Sequence, residues 1–202
     1  GTGNTLTQPP TVTDVNGQAV GLFSSTGAGA HIITATIEAT PITATDTVVV
    51  VAGAVSAGVS TVTILPTSIA SGGSTTVTVT ALDAAGNPVA GQTVTLAVTG
   101  ADAVVTQPVA VTDAAGVATG SVSATVLGTK TISASIGATA VTQTQDLTVT
   151  AAAVSAATST VSASPTAISA DGGTSTITVT ARDASNNPVV GATVVIAATG
   201  VD

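Results

Sequence analysis

The chain has 202 residues, 44% of them apolar, with 2 Lys+Arg, 10 Asp+Glu, a single His, no Cys and a formal net charge of −8. Two cationic side chains cannot neutralise a row of phosphates, so nucleic acid is excluded as a partner. No ordinary zinc or iron–sulfur site can be built from one histidine and no cysteine, and hardly a general base is left for catalysis.

No catalytic, cofactor-binding or metal-binding residue is therefore assigned, no cofactor is expected, and the chain is not read as an enzyme. The apolar fraction suffices for a packed core, and Thr, Ser and Gly interrupt every apolar run before it could span a membrane. No basic stretch opens the sequence, which places any signal peptide outside this segment.

From the N-terminus, the first feature is a repeat. Thr7-Gln8-Pro9 returns as Thr106-Gln107-Pro108, an offset of 99 residues. The same offset carries Thr13-Asp14 to Thr112-Asp113, Gly29 to Gly128, and Ala54-Val55-Ser56-Ala57 to Ala153-Val154-Ser155-Ala156. One residue is inserted near Gly172-Gly173, after which Asp83, Asn87-Pro88 and Gly91 fall on Asp183, Asn187-Pro188 and Gly191. Gly1 falls on Gly100 and Asp202 on Asp102. This frame predicts that 1–54 is the C-terminal half of a unit, 55–153 a complete unit and 154–202 the N-terminal half of the next.

Within the complete unit, period-2 alternation predicts strands over 74–81, 93–98, 118–126, 129–136 and 146–151. In the first of these Val77, Val79 and Ala81 share one face and Thr the other. β-Branched residues suit such a pleated, half-buried surface. Turn signals at 71–73, 83–88 and 113–116 separate the runs. About seven short strands per hundred residues point to an all-β antiparallel sandwich.

The residues Ser60-Thr61-Val62-Thr63, Pro66-Thr67-Ser68-Ile69, Asp83-x-x-Gly86-Asn87-Pro88-Val89-x-Gly91-x-Thr93-Val94-Thr95-Leu96 and Thr112-Asp113-x-x-Gly116 carry a resemblance. The unit resembles the bacterial immunoglobulin-like domain, group 1, the repeat of invasin- and intimin-type adhesins. The resemblance implies tandem immunoglobulin-like sandwiches in a linear array, used as a rigid spacer at the bacterial surface or outside the cell. It supplies no receptor-binding residue, because nothing here resembles the terminal cap of those adhesins.

A strand of eight residues spans roughly 26 Å, and units that touch only their neighbours add length linearly. The linkers 52–57 and 151–157 are short and apolar, which favours a stiff rod. The expected function is thus the shaft of a surface adhesin or the body of a filament. The half-units would be completed head to tail by a neighbouring repeat or subunit, and any host or surface receptor would be met by modules outside this segment. A carbohydrate- or protein-binding module and a phage tail or capsid decoration domain are the alternatives.

His31 and Lys130 occupy equivalent positions, which predicts an exposed strand end. Phe23 aligns with Val122 and is expected in a core. Asp83 and Asp183 could each offer calcium one carboxylate, but calcium takes six to eight oxygens, and an Asx turn accounts for the same residues. Asp14 and Asp113 read likewise. Edge strands are normally guarded by lysine, nearly absent here, so Pro66, Pro88, Pro108 and Pro165 are expected to help guard them.

Overall fold

The computed structural model describes residues 3–9 and 12–200; Gly1 and Asp202, the two ends of the repeat frame, lie outside the described residues. The first part contains β1 (Asn4–Thr7), β2 (Leu22–Ser25), β3 (Gly29–Ile33), β4 (Thr36–Ile37), β5 (Thr40–Pro41) and β6 (Asp46–Val50). The central part contains β7 (Thr61–Leu65), β8 (Ser68–Ala70), β9 (Ser74–Thr80), β10 (Val94–Val98), β11 (Val104–Thr106), β12 (Val117–Ser123), β13 (Gly128–Ile136), β14 (Thr139–Ala140) and β15 (Gln145–Thr150). Two strands follow, β16 (Thr160–Ser164) and β17 (Thr176–Thr180).

The protein is all-β. Two sheets, β10-β13-β15-β8 and β11-β12-β9-β7, face each other in the central unit. Between them lie Val62, Val77, Val79, Val122, Ile132, Ile136 and Leu147, all essentially without solvent contact. The expected strands agree with β9, β10, β12, β13 and β15. The run expected over 118–126 stops at Ser123; the Thr125 and Val126 amides are bonded to the Asp102 carboxylate instead of a neighbouring strand. One pair departs from the antiparallel expectation: β15 and β8 run parallel. β7 and β8 are one stretch interrupted at Pro66, which cannot donate to a ladder. β7 lies antiparallel to β9, and the chain then crosses to the other sheet without reversing.

The outer strands are closed by glutamines. Gln107 accepts the N–H of Leu96 at 2.7 Å and donates to the Leu96 carbonyl at 2.8 Å, covering β10. Gln143 accepts the N–H of Val62 at 2.9 Å on β7. Each glutamine follows a strand of the opposite sheet, so the side chains bridge the sandwich at its two edges. Replacing Gln107 with alanine is expected to cost about 1–3 kcal/mol, from the unpaired Leu96 amide, and to expose a pairing edge. A thermal melt followed by far-UV circular dichroism, with light scattering for aggregation, checks both.

Outside the central unit the strands are fewer. In the first part β1 pairs with β2, β3 with β6 and β4 with β5; at the end only β16 pairs with β17. Positions buried in the central unit are open there: Val62 is 0% exposed and its equivalent Val161 72%, while Ile136 is 1% exposed and Ile37 57%. Phe23, expected in a core, is only half-buried, since no facing sheet covers it. An open hollow of about 550 Å³ lies beside it, lined by Leu6, Phe23, His31 and Ile33 among others.

Candidate functional site: the joint between repeats

Where the chain passes from one repeat to the next, the 83–88 turn folds back on the linker that precedes its own unit. Asp83 organises it. Its Oδ1 accepts the backbone N–H groups of Ala85 and Asn87 at 2.9 Å. Its Oδ2 accepts the Asn87 side-chain amide and the Gly53 N–H at 2.8 Å. The first of these bonds make the expected Asx turn, and the Gly53 bond ties that turn to the linker. Gly86 takes the left-handed position with φ 84°, and Asn186 takes it in the next unit with φ 69°. Glycine and asparagine are the residues that enter this region most readily.

The second joint repeats the first. Asp183 Oδ1 accepts the N–H groups of Ser185 and Asn187 at 2.9 Å, and Oδ2 accepts the Ala152 N–H at 3.1 Å. Both carboxylates are buried beneath donors, Asp183 completely. Their oxygens are thus occupied by N–H groups, which favours the turn over a cation. Among the described residues no three acidic or histidine side chains converge on a point.

The asparagines cross the joint. Asn87 accepts the Ala28 N–H at 2.8 Å and donates from Nδ2 to the Thr26 carbonyl at 2.8 Å. Asn187 donates from Nδ2 to the Thr125 carbonyl at 2.7 Å and to Ser71 Oγ at 3.0 Å. Thr26 and Thr125 are equivalent positions, so the same amide-to-carbonyl bond is made twice.

The receiving loop is itself held. Asp102 Oδ2 accepts the N–H groups of Thr125 and Val126 at 3.2 and 2.9 Å, and its Oδ1 lies 2.7 Å from Lys130 Nζ. Lys130 is 6% exposed, which overturns its reading as an exposed strand end. Its side chain lies against Gly100, where a Cβ would come within 3.1 Å of Nζ, so the ammonium can tuck under the loop. His31, at the equivalent position, is half-buried, with Nε2 2.9 Å from the Gly27 carbonyl and its ring 5.3 Å from Phe23.

These carboxylates are held acidic. The Asn87 amide, then the Gly53 and Asn87 N–H groups, bring Asp83 down to about 2. The Lys130 ammonium, then the Val126 N–H, bring Asp102 down to about 2. Burial pushes Asp183 up, but the Asn187 and Ala152 donors outweigh it and its carboxyl stays below the ordinary value. A released Asp83 or Asp102 titrates at the ordinary 3.8, so the open joint binds more protons than the closed one between 3.8 and about 2. The contribution is therefore complete above that window and is lost as pH falls through it. Far-UV circular dichroism melts between pH 2 and 6 are expected to show a melting temperature flat at the upper end and falling below pH 4.

Sequence reasoning missed the bridging role of Asn87, Asn187, Gln107 and Gln143 and the pairing of Asp102 with Lys130. The recurrence of Asn-Pro and Thr-Gln-Pro at the repeat period was a signal for the asparagines and Gln107. Gln143 has Ala44 at its equivalent position and left no such trace.

The model of the bacterial Ig-like domain (group 1) matches residues 59–150. Among solved structures, the Escherichia coli adhesin FdeC is 26% identical with a TM-score of 0.66, over 94% of this chain and 64% of that one. Invasin, described as a bacterial integrin-binding protein, is 25% identical with a TM-score of 0.57, over 93% of this chain and 40% of its own. Yersinia pseudotuberculosis InvD, 18% identical with a TM-score of 0.60 over 92% and 60%, shares the fold. The chain thus spans less than two thirds of each of these structures. No curated protein sequence matches it.

Proposed function

We propose that this chain, whose central unit belongs to the bacterial immunoglobulin-like domain family (group 1), is a structural segment of a bacterial surface adhesin or surface filament, serving as its stiff shaft outside the cell. The observation that carries this reading is the joint built twice from equivalent residues. Asp83 with Asn87, and Asp183 with Asn187, each tie a turn to the linker before it and to a loop of the preceding repeat. A joint with several directed bonds resists bending in a way that a bare linker does not, and a repeated joint gives a repeated angle. The 83–88 turn is engaged with the neighbouring repeat through Asn87 and is not left open for a ligand, which favours the spacer over the binding module.

On this reading the units at 1–54 and 154–202 are halves completed head to tail by a neighbouring repeat or subunit, and receptor contact belongs to modules beyond this segment. Small-angle X-ray scattering of the chain and of its Asn87→Ala, Asn187→Ala double variant tests the shaft. The variant is expected to give a smaller mean extension with a broader distance distribution, while far-UV circular dichroism of the sandwich changes little. Superimposable scattering profiles would overturn the reading.

A further inference from the structure

We infer that the central unit is a load-bearing element: the segments by which the chain enters and leaves it are clamped side by side in shear, so that tension along the chain is carried by many bonds at once. This goes beyond stiffness at the joints. The clamp belongs to the central unit and is independent of what covers the units on either side. Its use, to bear a pull between the two ends of a shaft, rests on the reading above.

The parallel pair of β15 and β8 carries the argument. β8 belongs to the segment by which the chain enters the unit, and β15 is the strand by which it leaves. Thr148, Val149 and Thr150 lie opposite Ser68, Ile69 and Ala70. The Thr148 N–H donates to the Thr67 carbonyl at 3.0 Å and the Ser71 N–H to the Thr150 carbonyl at 2.8 Å. Thr150 Oγ1 adds a bond to the Ile69 carbonyl at 3.2 Å. The alignment continues back toward the point of entry. Thr142 donates to the Ala57 carbonyl from its N–H at 3.0 Å and from Oγ1 at 2.6 Å, and Gln143 holds the Val62 N–H. Residues 57–71 and 142–150 thus run alongside one another in the same direction, with Ala57 at one end and Thr150 at the other.

Direction decides how such a pair yields. Were the two segments antiparallel, the chain would enter and leave at the same end, and a pull would open the bonds one after another. In the parallel arrangement the pulls on the entering and leaving segments are opposed along the strand axis. The segments can separate only by sliding, which strains every bond between them together. Sliding also drags Ile69 and Val149, 6% and 2% exposed, across a core whose close packing leaves no room for an intermediate position. On its other side β15 is held by β13 over Gly128–Ile132, which keeps its axis along the load. The force the unit withstands is set by the barrier to this single step. The entering segment recurs at the repeat period, with Pro165-Thr166-Ala167-Ile168 for Pro66-Thr67-Ser68-Ile69.

The chain has no cysteine, so the direction of pull can be set by paired thiol handles. Ala54→Cys with Ala153→Cys, both exposed in the linkers, loads the pair in shear. Ser74→Cys with Ala153→Cys pulls from one end of it, since Ser74 follows the 71–73 turn that bonds to Thr150. In single-molecule force spectroscopy the first chain is expected to yield in one abrupt event. Its contour gain is roughly 300 Å, the extension of about a hundred residues less the folded length. Its peak force is expected to exceed that of the second chain roughly twofold or more, because bonds opened in turn share no load and present a lower barrier. Thr148→Pro, which removes the donor to Thr67, is expected to bring the first peak down toward the second. Equal peaks in the two directions, or a Thr148→Pro chain with its far-UV spectrum retained and its peak unchanged, overturns the inference. Should Thr148→Pro fail to fold, the two directions, measured in the otherwise unchanged sandwich, decide alone. Scattering reads bending at the joints and force reads the sandwich, so the shaft reading and this one fail separately.

Discussion

Truncating Ile132 to alanine is expected to destabilise the central sandwich by about 2–5 kcal/mol, the cost of lost burial plus the cavity left behind. Ile132 has no solvent exposure and sits in β13, opposite Val98 on one side and Gln145 on the other. It therefore contacts the interior from the middle strand of its sheet, where neighbours held by two ladders cannot collapse into the space. With no Trp or Tyr in the chain, denaturant unfolding must be followed by far-UV circular dichroism or calorimetry. The equivalent substitution Ile33→Ala removes the same atoms from a half-exposed position of β3 and is expected to cost well under half as much in the isolated chain. Equal losses at the two sites would mean that the first half is as well covered as the central unit.

Gly116→Ala should be comparably damaging for a different reason. Gly116 adopts φ 75°, a region that costs L residues about 1–2 kcal/mol. Its Cβ would also overlap the Ala81 carbonyl oxygen and lie 3.2 Å from Val89 N and 3.3 Å from Pro88 Cβ. Two of these neighbours are backbone and cannot rotate away, so overpacking adds to the conformational cost and the total is expected to reach about 2–5 kcal/mol. Gly17 is the same turn position with φ 74°, but a Cβ there meets nothing within 4 Å. Gly17→Ala is accordingly expected to carry the conformational cost alone. Differential scanning calorimetry of the two variants separates the effects, and matching melting temperatures would refute the steric part.

The comparison of equivalent positions also explains what the sequence could reveal. Strand positions are local: alternation of Val and Thr over 74–81 faces residues alternately in and out whatever the partner, so β9 was readable from spacing alone. The Asx turns at Asp14, Asp83, Asp113 and Asp183 are local as well, since in each one carboxylate oxygen accepts the amides two and four residues ahead. Lys130 shows the opposite. Substitution by His31 in the other repeat suggested an exposed cation, yet its burial depends on Asp102 and Gly100, 28 and 30 residues away.

Composition and alternation were enough to read an all-β chain, because each is carried by residues close together in sequence, while the immunoglobulin-like fold was implied by the resemblance of its motifs to a known family. Which side chains close the sandwich edges, which asparagines tie one repeat to the next, and which apolar strands are left open all depend on what lies across from them. The residues 94–98 and 194–198 make the point physically. Both are apolar at the three inward positions, Val94, Leu96 and Val98 against Val194, Ile196 and Ala198, but a strand forms only where a neighbouring strand accepts its backbone hydrogen bonds, and that neighbour is supplied by tertiary structure.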